Sequence, residues 1–183
     1  MQGNLNKSGI SQGLARRIII FGLMTLVLGC AQCAFFPLLD FCPATPDLIL
    51  GMLLAIALLD SIKSAAITAV CAGFFVDAIG SLGLALSPIV YLLFVLIVGA
   101  LSGKVLKSFA SFILLLIPSL IYRGTATLLC HLFVSGAGAS STAQLLRTVV
   151  LPEMLTTGLL CLPIYFIVKL CSGALENHSR FTF

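Results

Sequence analysis

Gly73-Phe-Phe-Val-Asp77-Ala-Ile-Gly80-Ser-Leu-Gly83-Leu-Ala-Leu-Ser-Pro88 places one carboxylate in an apolar run that is rich in glycine. At 3.6 residues per turn, Asp77 shares one helix face with small residues, namely Ala66, Ala69, Gly73 and Gly80. Such a face lets another helix approach closely in a membrane, where helix packing cannot rely on expelling water. Because a charge is costly in hydrocarbon, we expect Asp77 to face the protein interior and to meet a partner there.

The composition around this stretch is that of an integral membrane protein. Hydrophobic residues make up 60% of the 183 residues and charged residues only 9%, and the mean hydropathy is +1.20, well above the average for soluble domains. The net charge of +4 comes without a charge run or a basic-aromatic stripe, so nothing indicates nucleic-acid binding. The sequence therefore predicts a single all-α domain in a lipid bilayer.

The apolar runs predict a bundle of six transmembrane helices within residues 18–170. A polar tail, 1–17, precedes the bundle and a second tail, 171–183, follows it, and we expect both tails in the cytoplasm. Eight of the ten Lys and Arg residues then lie on the cytoplasmic side, as the positive-inside rule requires. These eight are Lys7, Arg16, Arg17, Lys63, Lys104, Lys107, Lys169 and Arg180. Residues 18–36 continue as an apolar run past Cys30, which favours an uncleaved first helix over a signal peptide.

The second predicted helix is unusually short. It opens at Pro46-Asp47-Leu48 and ends before a cytoplasmic turn at Asp60–Lys63, so it offers only about 18 Å of helix between its two carboxylates. The hydrocarbon core is about 30 Å thick. We therefore expect that one carboxylate lies below the headgroups or that neighbouring helices shelter this one.

Three charged residues are predicted at a similar depth. Asp77 lies about 20 Å from the cytoplasmic start of helix 3 (64–80), and Arg123 lies about 22 Å from the same side in helix 5 (108–134). Glu153 lies about 15 Å below the outer end of helix 6 (143–170). An arginine between two carboxylates leaves each charge less exposed than it would be alone. We therefore predict an Asp77–Arg123–Glu153 cluster, interpreted as a structural tie in preference to a proton or substrate site.

Other polar residues are weaker candidates for a site. His131 has no second ligand at metal-binding spacing and is interpreted as a core histidine. Cys30-x-x-Cys33 lacks a second ligand pair and lies in a predicted span, so packing is favoured over metal or redox chemistry. Gly99-x-x-x-Gly103 predicts a close contact near the inner end of helix 4 (88–103). No motif for catalysis or cofactor binding is present, which leaves binding, scaffolding or transport.

Three features together resemble the MreD family of rod shape-determining membrane proteins. The first is Pro46-Asp47-Leu48 at the start of helix 2. The second is Gly73-x-x-x-Asp77 followed by Gly80-x-x-Gly83, with Tyr91 and Gly99 in the next helix. The third is a final helix with Leu151-Pro152 near its start and Leu162-Pro163-x-Tyr165 near its end. The family positions are Pro46, Asp47, Asp77, Gly80 and Gly83, whereas Arg123 and Glu153 come from the depth argument alone.

The resemblance implies a non-enzymatic subunit of the bacterial cell-elongation machinery in the plasma membrane. Its fold would be similar to that of the substrate-binding components of energy-coupling-factor transporters. Its partners would be an MreC-like protein and, through it, the MreB filament, a RodA-type polymerase and a transpeptidase, with no cofactor. Two alternatives stay open: a substrate-binding component of an energy-coupling-factor vitamin transporter, and a small proton-coupled carrier. The absence of Trp and the presence of only three Tyr argue against an aromatic vitamin pocket.

Overall fold

The chain folds into helices throughout the described ranges, and no strand occurs there. The structure, a computed structural model, describes residues 3–35, 45–79, 86–102, 108–135 and 143–180. We label the helices α1 (Gly3–Cys30), α2 (Leu48–Leu59), α3 (Ile62–Ile79), α4 (Ser87–Ser102), α5 (Phe109–Ser135) and α6 (Leu151–Arg180). A π-helical turn at Ala31–Phe35 follows α1, and another at Leu146–Val150 precedes α6.

The short helix α2 is the centre of the bundle. Every residue from Leu48 to Leu58 is buried, and α2 packs against all five of the other labelled helices. A helix that is apolar all round belongs in an interior, and α2 has no charged residue between its two ends. Gly51 permits a close approach to α6, because a Cβ added there would collide with Cys161.

The helices α1 and α2 form an antiparallel pair that is joined by polar contacts at both ends. Near the start of the apolar part of α1, Arg17 forms an ion pair with Asp60, which directly follows α2. Near the end of α1, the side chain of Gln32 accepts the backbone N–H of Leu48. The neighbouring helices therefore surround the short α2 over its whole length. This is one of the two arrangements expected for a helix about 18 Å long.

The helices α3 and α4 pack closely where α4 begins. A Cβ added to Gly73 would collide with the backbone of Ser87 and Pro88, and only glycine leaves room for that approach. At the other end of the pair, Gly99 packs under Ile62, whose side chain would lie 3.1 Å from an added Cβ. The small-residue face predicted on helix 3 is thus a packing face, and its partner is α4.

The outer surface of the bundle is apolar. Many large hydrophobic side chains are exposed on α1, α5 and α6, among them Ile19, Leu23, Leu114, Leu155, Leu159 and Leu170. Such a surface suits lipid and not water. Within the described ranges, four helical segments are long and apolar enough to cross a membrane: Ala15–Ala34, Ile62–Ile79, Phe109–Leu129 and Ala143–Gly173. The helices α2 and α4 are apolar but shorter, so length and composition alone identify four spans and not the six that the sequence predicts.

Candidate functional site

The polar centre of the molecule lies at the N-terminus of α2. Asp47 is the N-cap residue, and its carboxylate accepts the backbone N–H of Leu50 at 3.0 Å. The backbone N–H of Asp47 donates to Oγ1 of Thr157 at 2.9 Å, and that of Leu48 donates to Oε1 of Gln32 at 3.1 Å. The first N–H groups of a helix have no partner within the helix. Here the π turn after α1, α6 and Asp47 itself each provide a side-chain acceptor for one of them, which helps this helix end to be buried.

The Asp47 carboxylate is fully buried and receives donors from two further helices. Nε of Arg123 in α5 lies 3.0 Å from its Oδ2. The hydroxyl of Tyr91 in α4 lies 3.0 Å from Oδ2 and 3.1 Å from Oδ1. The exposed fraction of the Asp47 side chain is 0%, so these donors and the positive end of the α2 dipole replace all of its hydration.

Glu153 brings a second carboxylate to the same guanidinium. Nε of Arg123 donates to Oε1 of Glu153 at 3.1 Å, and the Thr127 hydroxyl lies 3.5 Å from Oε2. The side chain of Glu153 is 8% exposed and that of Arg123 is 26% exposed. We call Asp47, Arg123 and Glu153, together with Tyr91 and Thr127, the Asp47 cluster.

Helix periodicity explains how the polar side chains of α5 and α6 meet. Arg123 and Thr127 lie one turn apart on α5, and Glu153 and Thr157 lie one turn apart on α6. Residues four apart share a helix face, so each helix contributes one charged and one hydroxyl side chain to the same interface. The spacing of these two pairs is visible in the sequence, and it is the signal that could have located this interface.

The predicted role of Asp77 is wrong. Its carboxylate does not join Arg123 but accepts the backbone N–H of Ser87, the first residue of α4, at 3.2 Å. The reason is the glycine face of α3: Gly73 brings the start of α4 against this face, so Asp77 one turn later lies beside the Ser87 N–H at that helix end. An anion is favourable there. Arg123 and Glu153 do meet, and Asp47 takes the place predicted for Asp77.

Some of the remaining predicted residues lie within the described ranges and others lie outside them. Pro46 is buried directly before the N-cap residue, and Gly99 is buried in α4. Gly80, Gly83 and Gly103 lie outside the described residues. Cys30 and Cys33 are free thiols near the end of α1. Between them lies Gln32, whose side chain accepts the N–H of Leu48. Within the described ranges, no group of three His, Cys, Asp or Glu side chains is arranged to hold a metal ion.

Comparison with family models, with curated proteins and with solved structures gives no match to this chain. The site is therefore interpreted from its own geometry. That geometry joins α1, α2, α4, α5 and α6 through one network of charged and polar groups at a helix end, inside a protein whose outer surface is apolar. Its groups can hold helices in register, and its carboxylates can exchange a proton.

Proposed function

We propose that this protein is a non-enzymatic scaffold of a bacterial plasma membrane, an MreD-like subunit of the cell-elongation machinery. In this role it would hold an MreC-like protein and, through it, the MreB filament, a RodA-type polymerase and a transpeptidase. The termini would both be cytoplasmic. The proposal combines the motif resemblance with a bundle whose polar interior serves to join helices.

The scaffold proposal includes six membrane crossings, with α2 and α4 as short spans. Support comes from the polar contacts at both ends of the α1–α2 pair. Arg17 meets Asp60 at one end and Gln32 meets Leu48 at the other, so α2 returns over the depth that α1 traverses. The α3–α4 pair likewise has contacts near both ends, at Gly73 and at Gly99. Two antiparallel pairs followed by α5 and α6 amount to six crossings.

The observation that carries the scaffold proposal is the position of Asp47. This residue belongs to the Pro46-Asp47-Leu48 motif of the resemblance, and its carboxylate and N–H group contact α4, α5 and α6 at the centre of the bundle. A motif residue that bonds neighbouring helices supports a role in maintaining one rigid shape. A rigid shape with an apolar outer surface is what a membrane scaffold offers to its partners.

Co-purification tests the scaffold role. The tagged protein, extracted from its host membrane in mild detergent, should retain a membrane partner with one span and a coiled-coil external domain, as MreC-like proteins have. Deletion of the gene from a rod-shaped host should produce round cells, and the wild-type gene should restore rods. Recovery of a transporter ATPase and its coupling subunit, with no change in cell shape, would instead identify the vitamin-transporter alternative.

A further inference from the structure

The Asp47 cluster holds one more negative charge than positive charge. Its ionisable members are Asp47 on α2, Glu153 on α6, Arg123 on α5 and Tyr91 on α4, and the remaining member, Thr127 of α5, is neutral. Two carboxylates therefore face a single guanidinium inside the bundle. An uncompensated charge is costly in such a place. Binding of an anion would increase the excess, whereas binding of a proton removes it.

The two carboxylates compete for the same donor. Nε of Arg123 lies 3.0 Å from Oδ2 of Asp47 and 3.1 Å from Oε1 of Glu153. The two oxygens are therefore within about 6 Å of each other, a range in which two like charges repel. A single N–H cannot be a full partner to both. One carboxylate must depend on its other contacts.

Asp47 has more of these other contacts than Glu153. Its carboxylate also accepts the Tyr91 hydroxyl and the Leu50 N–H at the start of α2, and the helix dipole favours an anion there. Among the residues that the structure describes, the contact of Oε2 of Glu153 is the Thr127 hydroxyl, at 3.5 Å. Because 3.5 Å is longer than a good hydrogen bond between oxygens, this oxygen is the least satisfied acceptor of the cluster, although its side chain is 92% buried.

We propose that Glu153 is a proton-binding site, protonated on Oε2 in the folded protein at neutral pH. The carboxylate takes up one proton and becomes a carboxylic acid; no other bond is made or broken. Oε1 continues to accept the Arg123 Nε–H, and the new O–H points to Oγ1 of Thr127. The cluster is then neutral, with Asp47 and Arg123 as its ion pair. This inference stands whether or not the scaffold role does.

Proton binding by the folded state determines how the stability of the protein depends on pH. An exposed glutamate in the unfolded chain is ionised above about pH 5, so unfolding releases the proton that Glu153 holds. The folded state then binds more protons than the unfolded state, and stability falls as the pH rises. One proton corresponds to about a tenfold increase in the unfolding equilibrium constant per pH unit.

The test compares matched isosteric variants of the two carboxylates in the full-length protein. Unfolding equilibria are measured in mixed micelles from pH 5 to pH 8. An exposed glutamate is ionised throughout this range. Glu153→Gln, which imitates the neutral acid, should lose the pH dependence that comes from this one proton. It should be about as stable as wild type near pH 5 and more stable than wild type above it, by a factor that grows about tenfold per pH unit. Asp47→Asn, which removes the charge that pairs with Arg123, should raise the unfolding equilibrium constant at least about 150-fold, the lower end of the range for a broken buried ion pair.

Infrared spectroscopy of the folded protein gives an independent readout if Asp47→Asn does not fold. The carbonyl stretch of a protonated carboxylic acid should be present in wild type at neutral pH and absent from Glu153→Gln. The proposal is overturned if that band is unchanged in the variant, or if Glu153→Gln destabilises the protein as strongly as Asp47→Asn. It is also overturned if the unfolding equilibrium constant depends on pH in the same way in wild type and in Glu153→Gln.

Discussion

Arg123 is the residue on which both buried carboxylates depend. It bridges α2 and α6 from α5 through one nitrogen. Its Nε contacts both carboxylates while about a quarter of the side chain remains exposed, which is typical of a long basic side chain at the edge of an interior.

Replacing Arg123 by Leu should destabilise the protein strongly. The change leaves Asp47 without a countercharge inside the bundle, and breaking a buried pair by removing one partner costs about 3–5 kcal/mol. Unfolding in mixed micelles measures the loss. Arg147→Leu is the matched control, because Arg147 is exposed on the π turn that precedes α6. Equal stability of the two variants would contradict the cluster.

Asp77 should behave differently from the buried carboxylate. Its carboxylate accepts one backbone N–H at the start of α4, and an asparagine oxygen can accept the same bond. Asp77→Asn should therefore lose only the favourable charge–dipole interaction, about 0.3–1 kcal/mol, as measured by the same unfolding assay. A loss as large as that of Arg123→Leu would show that Asp77 has a charged partner after all.

At the scale of elements, the glycine positions decide which helices approach. Gly73 meets the backbone at the start of α4, whereas a Cβ added to Gly22 of α1 would have nothing within 4 Å. The two glycines look alike in the sequence, since both lie inside apolar runs. They differ in what lies next to them in the folded protein.

Gly73→Leu should therefore be much more harmful than Gly22→Leu. The added side chain at Gly73 must push Ser87 and Pro88 away, and overpacking of this kind costs about 1–3 kcal/mol. At Gly22 the leucine projects into open space on the lipid-facing surface and should be neutral or slightly stabilising, since leucine favours a helix. Thermal unfolding of the two purified variants measures the difference. Similar melting temperatures would argue against the close α3–α4 contact.

At the scale of the whole molecule, the short helix α2 determines the topology. If α2 crosses the membrane, its end at Asp60 lies with Arg17 on the cytoplasmic side, and the chain makes six crossings. If α2 enters the membrane from the outer side without crossing it, residues 60–63 lie on the outer side.

Reporter fusions distinguish these two topologies. Alkaline phosphatase fused after Lys63 should be inactive, because it would stay in the cytoplasm, and green fluorescent protein at the same point should fluoresce. The same reporters fused after Thr45, which is exposed before the start of α2, should give the opposite pair of results. Active phosphatase after Lys63 would exclude the crossing of α2 and with it the six-span bundle.

Much of the fold could be predicted from local pattern. The positions of the long apolar runs and the start of the second helix at Pro46–Leu48 follow from hydropathy and from capping chemistry. The meeting of Arg123 and Glu153 followed from depth, because the helix rise places each residue along the membrane normal to within a few residues. The choice of Asp77 over Asp47 failed because depth says nothing about direction around the bundle.

The sequence by itself determined that this chain is helical, that its outer surface is apolar, and that its few interior charges require partners. These properties depend on composition and period, which are local. The tertiary structure alone decided that α2 is the central helix, that Asp47 receives Arg123, and that Asp77 lies at the start of α4. The physical reason is that helix packing selects partners by close approach, at Gly51 against α6 and at Gly73 against α4, and such contacts between distant segments leave no periodic signal in the chain.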